Sequence, residues 1–127
     1  MTNECFFCNA NDNKQPALIA ENKLAYARWD DFPVSDGHAE VVPKRHISSY
    51  FELTDDEINA LFQLSKDIKK IIDKKYKPDS YNVGINNGIE AGQTVPHCHI
   101  HLIPRYAGDV ENYRGGVRNI IPGKGDY

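Results

Sequence analysis

The chain has 127 residues, 40% of them apolar and 26% charged, with a formal charge of −3. A domain of this size buries about two-thirds of its unfolded surface, so residues 1–127 read as one domain that needs neither disulfide nor metal in order to fold. The charge balance, without a long basic run, argues against duplex nucleic acid as the main partner, whereas a phosphate-bearing small molecule needs only a few local cations and amides. No stretch is apolar enough for a signal peptide or a membrane span, which predicts a cytoplasmic protein with no membrane partner. Three cysteines in such a chain suggest thiols or metal ligands rather than a disulfide framework.

In chain order, an N-terminal segment (1–15) carries the C-x-x-C of CFFC. Residues 16–47 then read as strands: ALIA, LAYARW and GHAEVVP, broken by the turn-rich DDFPVSDG, which suggests an antiparallel meander. A helix is predicted over about 55–76. Thr54 and Glu57 form a capping box, Asp55 and Asp56 suit the positive end of the helix dipole, and Pro78 blocks continuation. Ile58, Leu61, Phe62, Ser65, Ile68, Ile71 and Ile72 recur at helical spacing along it. YNVGIN is a short strand that leads through the loop NGIEAGQTVP into HCHIHLI, and residues 107–127 read as an irregular tail.

HCHIHLI has the period of a strand. His97, His99 and His101 then share one face, while Cys98, Ile100 and Leu102 face a core. Three readings are open: a histidine-rich solvent face, a three-histidine metal centre, or nucleophilic catalysis on phosphorus by one imidazole. The preceding loop favours the last. Asn86, Asn87, Gly88, Gly92, Gln93 and Thr94 supply amides, a hydroxyl and closely approachable backbone, which suit a phosphate and are of no particular use to a metal. C-x-x-C by itself is either a redox pair or a frayed terminus.

His-x-His-x-His followed by two apolar residues, with AGQTV before it and PR after it, resembles the signature of the histidine triad (HIT) nucleotide hydrolases and transferases. EAGQTV with PRYAGD is most similar to the fragile-histidine-triad branch, which cleaves diadenosine polyphosphates. PVSDGHAEVVPKRHI resembles the upstream strand and loop of that family, and CFFC resembles its zinc-bearing bacterial members. The resemblance implies an α+β fold, an antiparallel sheet of about five strands with one long helix packed on it, and a homodimer. It also implies cleavage at the α-phosphorus of a nucleoside 5′-phosphoryl compound, most directly a diadenosine polyphosphate, with release of a mononucleotide. The rivals are a nucleoside phosphoramidate hydrolase and a nucleotide-binding sensor that does not cleave.

The roles implied by that resemblance are specific. His99 is the nucleophile that becomes nucleotidylated, His101 contacts the reacting phosphate, and His38 supports the triad from the neighbouring strand. Asp30 binds the ribose diol, although it is equally a plain turn residue in DDFP, and Asn86, Gln93 and Thr94 contact phosphate. Cys5, Cys8, His46 and His97 complete a tetrahedral, structural Zn2+ site with no open position. Two departures stand out: Glu40 lies in a strand that is usually apolar in the family, and the tail does not match the tryptophan-bearing ending of the phosphoramidase branch. Arg105, Arg114 and Arg118 read as solvated side chains or as contacts to distal phosphates.

Overall fold

A computed structural model describes residues 4–13 and 16–127; the start of the N-terminal segment, residues 1–3, and residues 14–15 at its end lie outside the described residues. The elements are α1 (Phe6–Asn13), β1 (Leu18–Glu21), β2 (Ala25–Trp29), β3 (Ala39–Pro43), α2 (Asp55–Tyr76), β4 (Ser80–Gly84) and β5 (Ile100–Arg105). The five strands form one antiparallel sheet in the order β1-β2-β3-β5-β4.

α2 begins and ends where its sequence dictates. Glu57 N–H donates to the Thr54 hydroxyl and Thr54 N–H to the Glu57 carboxylate, closing the capping box. Lys77, left-handed at φ 54°, ends the helix just before Pro78. Its buried stripe is Leu61, Leu64, Ile68 and Ile72, spaced to face one direction. The stripe passes through Leu64 and leaves Phe62 and Ile71 outside, 54% and 41% exposed, so these two members of the helical pattern are not core residues.

The strands alternate around this helix. Ala25, Ala27, Ala39, Val41, Ile100 and Leu102 belong to the core with α2, whereas Tyr26 and Val42 face the other way and pack against Phe7 and Ala10 of α1. α1 has no counterpart in the sequence reading. Its Asn- and Asp-rich residues are weak helix formers, and the burial of Phe7 and Ala10 in this second cluster holds it.

The histidine stretch departs from expectation in one respect. β5 starts only at Ile100, because pairing with β3 stops at Val41↔Ile100, and Cys98 N–H donates to the Ile47 carbonyl instead. His97 and His99 therefore precede the strand, although Cys98, Ile100 and Leu102 are buried as the alternation implied. Gly37, at φ 88°, presses the loop before β3 onto the end of α2. A Cβ there would come within 2.9 Å of the Tyr76 ring, so glycine is what allows His38 to sit so close.

Candidate functional site

Two groups of side chains meet at the N-terminal end of β5. The first is a chain of imidazoles. His99 Nδ1–H donates to the His97 carbonyl at 2.9 Å; a carbonyl can only accept, so this assigns the tautomer and leaves the lone pair on Nε2. Val34 N–H donates to His38 Nδ1 at 3.2 Å, and His38 Nε2–H then faces His101 Nδ1 at 2.9 Å. The same logic leaves the His101 proton on Nε2. Asp30 backs the pair, its Oδ2 lying 3.3 Å from His38 Nε2 and 3.8 Å from His101 Nδ1, while its Oδ1 accepts Phe32 N–H at 2.8 Å. Burial holds all three imidazoles below their ordinary titration range. For His101 burial comes first and its histidine neighbours add, down to about 4, against an opposing Asp30. All three are neutral at pH 7.

His99 and His101 line a cavity of about 280 Å³ with Asp30, Asn86, Gly92 and Thr94, under walls of Phe6, Phe7, Phe32 and Val95. Two larger hollows of about 540 Å³ include none of the histidines, one of them adjoining this cavity at Phe6, Arg28 and Asp31, so size alone would misplace the site. Gln93 is drawn elsewhere. Its Oε1 accepts Gly88 N–H and its Nε2 donates to the Ser48 carbonyl, so the amide braces the loop and does not line the cavity.

The second group is Cys5, Cys8, His46 and His97, whose ligand atoms all lie within 4.8 Å of one another. Both thiols lie against the His97 ring, Cys5 Sγ at 3.4 Å from Nδ1 and Cys8 Sγ at 3.5 Å, and His46 Nδ1 is 3.3 Å from both Cys8 Sγ and His97 Nδ1. Tetrahedral zinc, with Zn–N of about 2.0 Å and Zn–S of about 2.3 Å, sets its ligands roughly 3.3–3.8 Å apart. His97 Nε2–H donates to the Pro43 carbonyl at 2.8 Å, which leaves Nδ1 free to ligate. These four residues therefore fit, and can hold, a metal ion.

A family model for the HIT domain matches residues 11–108. The chain belongs to the HIT family. Among HIT relatives, the uncharacterized HIT-like protein MJ0866 of Methanocaldococcus jannaschii is 41% identical over 120 residues, 91% of each chain. The bis(5′-nucleosyl)-tetraphosphatase (asymmetrical) of Schizosaccharomyces pombe is 39% identical over 72% of this chain and 50% of its own. The adenosine 5′-monophosphoramidase hnt1 of the same yeast is 39% identical over 80% and 74%. Of solved HIT structures, a Bacillus subtilis member aligns with TM-score 0.77 at 36% identity over 84% of this chain and 76% of that one. A Zn-bound Mycobacterium smegmatis member aligns at 0.77 and 28% identity over 87% and 81%. The expected HIT fold is thus the observed one, with α1 in addition.

Within this HIT site, sequence reasoning missed a buried ion pair. Arg28 and Glu40 face each other across β2 and β3, NH1 to Oε1 at 3.1 Å, and Arg28 NH2 reaches Asp31 Oδ1 at 3.1 Å. Burial pushes the Glu40 carboxyl up to about 7, with Asp30 adding and Arg28 opposing. Glu40 stands out in the sequence as a charge in an apolar strand, and the signal for its partner is a second charge, Arg28, inside the apolar run of LAYARW one strand away. The tail arginines are held away from the histidines. Arg105 binds Asp109 and Asn82, and Arg114 and Arg118 stack on the Tyr127 ring at 4.4 and 4.9 Å.

Proposed function

We propose that the protein is a nucleotide hydrolase that cleaves at the α-phosphorus of a nucleoside 5′-phosphoryl compound through a nucleotidyl-histidine, with dinucleoside polyphosphates as its substrates. The observation that carries this reading is the bond from His99 Nδ1–H to the His97 carbonyl, which leaves a neutral imidazole with its lone pair on Nε2 beside a cavity of about 280 Å³. In the first step His99 Nε2 attacks phosphorus and the bond to the bridging oxygen breaks. His101 Nε2–H, oriented by His38, meets the leaving oxygen or a phosphoryl oxygen. Water then attacks the phosphorus, the P–N bond breaks, and His99 leaves as the free imidazole. Asn86, Thr94 and the Gly92 backbone are placed to receive phosphate oxygens. Asp30 serves both as the backing carboxylate for His38 and as the ribose contact, and Gln93 acts through the loop it braces.

Cys5, Cys8, His46 and His97 would hold a zinc ion whose role would be structural. Four protein ligands would leave no open position for chemistry, and the ion would fix α1 and the peptide carrying His97. A homodimer would use the free edge at β4 together with Phe62 and Ile71 on α2. The test of the function is a covalent one. Incubation with diadenosine tetraphosphate should release adenylate, and quenched protein should carry one added adenylyl group that is absent in His99→Ala; no release and no adduct in the wild type would overturn the proposal. The 39% identity to a phosphoramidase favours a second reading, hydrolysis of nucleoside phosphoramidates, and relative turnover of the two substrate types decides between them.

A further inference from the structure

We propose that CFFC is an oxidation site: hydrogen peroxide joins Cys5 and Cys8 in a disulfide, with release of the metal ion they would hold, and the aromatic wall of the triad cavity moves with them. The chemistry at the sulfurs stands apart from the hydrolase reading; only its effect on turnover rests on that reading.

The pair is placed to react. The Cys5 carbonyl accepts Asn9 N–H at 3.0 Å, so the hydrogen bonding of α1 starts at Cys5 and Cys8 stands one turn further on. Helix geometry separates such Cα atoms by about 5 Å, inside the roughly 4.4–6.8 Å that a disulfide spans. Both thiols converge on one atom, His97 Nδ1, at 3.4 and 3.5 Å. Their access differs: Cys5 is half-buried and Cys8 buried, and the exposed His46 beside them opens the cluster to solvent. Cys5 is therefore the sulfur that meets the oxidant, and Cys8 the one that resolves it. Cys98 takes no part, because it is buried in the core with α2, whereas Cys5 packs against the α1 cluster.

The step balances with peroxide as the only oxidant. A metal-bound thiol is ionised. The Cys5 thiolate displaces hydroxide from hydrogen peroxide and becomes a sulfenic acid; the Cys8 thiolate attacks that sulfur, the S–S bond forms and a second hydroxide leaves. The two sulfurs give up two electrons, the peroxide takes them, and two protons from solvent convert both hydroxides to water. The thiolate charges are then gone, and the two imidazoles that remain are too few for a tetrahedral structural site.

The cavity is coupled to this chemistry through the residues between the cysteines. Phe6 and Phe7 both wall the triad cavity, and the Phe7 ring centroid lies 4.6 Å from that of His99 and 5.8 Å from that of His97. A shared zinc holds two sulfurs roughly 3.8 Å apart and a disulfide about 2.05 Å, so the first turn of α1 must tighten on oxidation. α1 has eight residues, weak helix formers among them, and is held by the packing of Phe7 and Ala10, so it yields to that pull and carries Phe7 against the His99 ring.

The experiment treats zinc-loaded protein with a small excess of hydrogen peroxide. It follows zinc release with a chromogenic chelator, remaining thiols by alkylation and intact mass, and turnover of diadenosine tetraphosphate. Expected are release of the ion in step with loss of two of the three thiols, and a fall in turnover of about tenfold or more. A thiol-free reductant with added zinc should restore all three readings. Cys98→Ser should respond as the wild type does, and peptide mapping should find Cys5 joined to Cys8. Failure to take up zinc, retention of the ion with every thiol alkylatable, a disulfide that includes Cys98, sulfinic acid in place of the disulfide, or full turnover in the oxidised protein overturns the inference. If the reduced protein cleaves nothing, the hydrolase reading fails instead, and the chelator and mass readings judge the oxidation by themselves.

Discussion

Replacing Glu57 with Ala should lower stability by about 2 kcal/mol at pH 7, and the loss should shrink in acid. The Glu57 carboxylate accepts from Thr54 N–H at 2.9 Å and from Arg45 Nε and NH2 at 3.0 and 2.7 Å. Loss of a helix cap costs about 1 kcal/mol, and an ion pair with a half-exposed arginine adds about 0.5–1. The pH route gives a similar figure. The hydrogen bonds from Arg45, with smaller help from Thr54, hold the Glu57 carboxyl at about 2 instead of 4.5. That difference corresponds to about 3 kcal/mol before solvent screening at Arg45, 50% exposed, reduces it. Because the folded value is the depressed one, this stability is complete above pH 4.5 and is lost as pH falls towards 2. Urea unfolding of wild type and Glu57→Ala at pH 7, 4 and 2.5 measures the gap. A difference below about 0.5 kcal/mol at pH 7, or one that stays constant down to pH 2.5, would refute the reasoning.

Two further outcomes follow from the site itself. Purified protein should contain one zinc per chain by elemental analysis, and Cys8→Ser should lose the metal and unfold at a lower temperature; a metal-free wild type of unchanged stability would remove the structural-zinc reading. By NMR the His101 imidazole should titrate near 4 instead of 6.5, because burial disfavours its charged form. Asp30→Asn should move it lower still, since Asp30 is the group that favours the charge, and a midpoint near 6 would contradict the burial argument.

Local chemistry made part of this molecule legible before any coordinates. α2 could be bounded because its start and stop are written in Thr54, Glu57 and Pro78. The core face of the histidine stretch was readable because Cys98, Ile100 and Leu102 alternate. The point where that stretch becomes a strand was not, since it depends on how far β3 extends beside it. α1 escaped notice for a related reason: nothing in FFCNANDN favours a helix until Tyr26 and Val42 supply a surface for Phe7 and Ala10. Arg28 and Glu40, twelve positions apart, meet only through the register of two strands.

His97 belongs to two neighbourhoods at once. Its ring lies among two thiols and a second imidazole, and its own carbonyl accepts the hydrogen bond from Nδ1–H that sets the tautomer of His99. The backbone of one residue thus answers to the His99 imidazole while its side chain answers to the cysteines. Damage to the thiols, by oxidation for instance, would reach His99, the proposed nucleophile, through one peptide plane, with no need for a longer relay. A lineage that abandoned the cysteines would have to find another anchor for that plane before it could keep the chemistry.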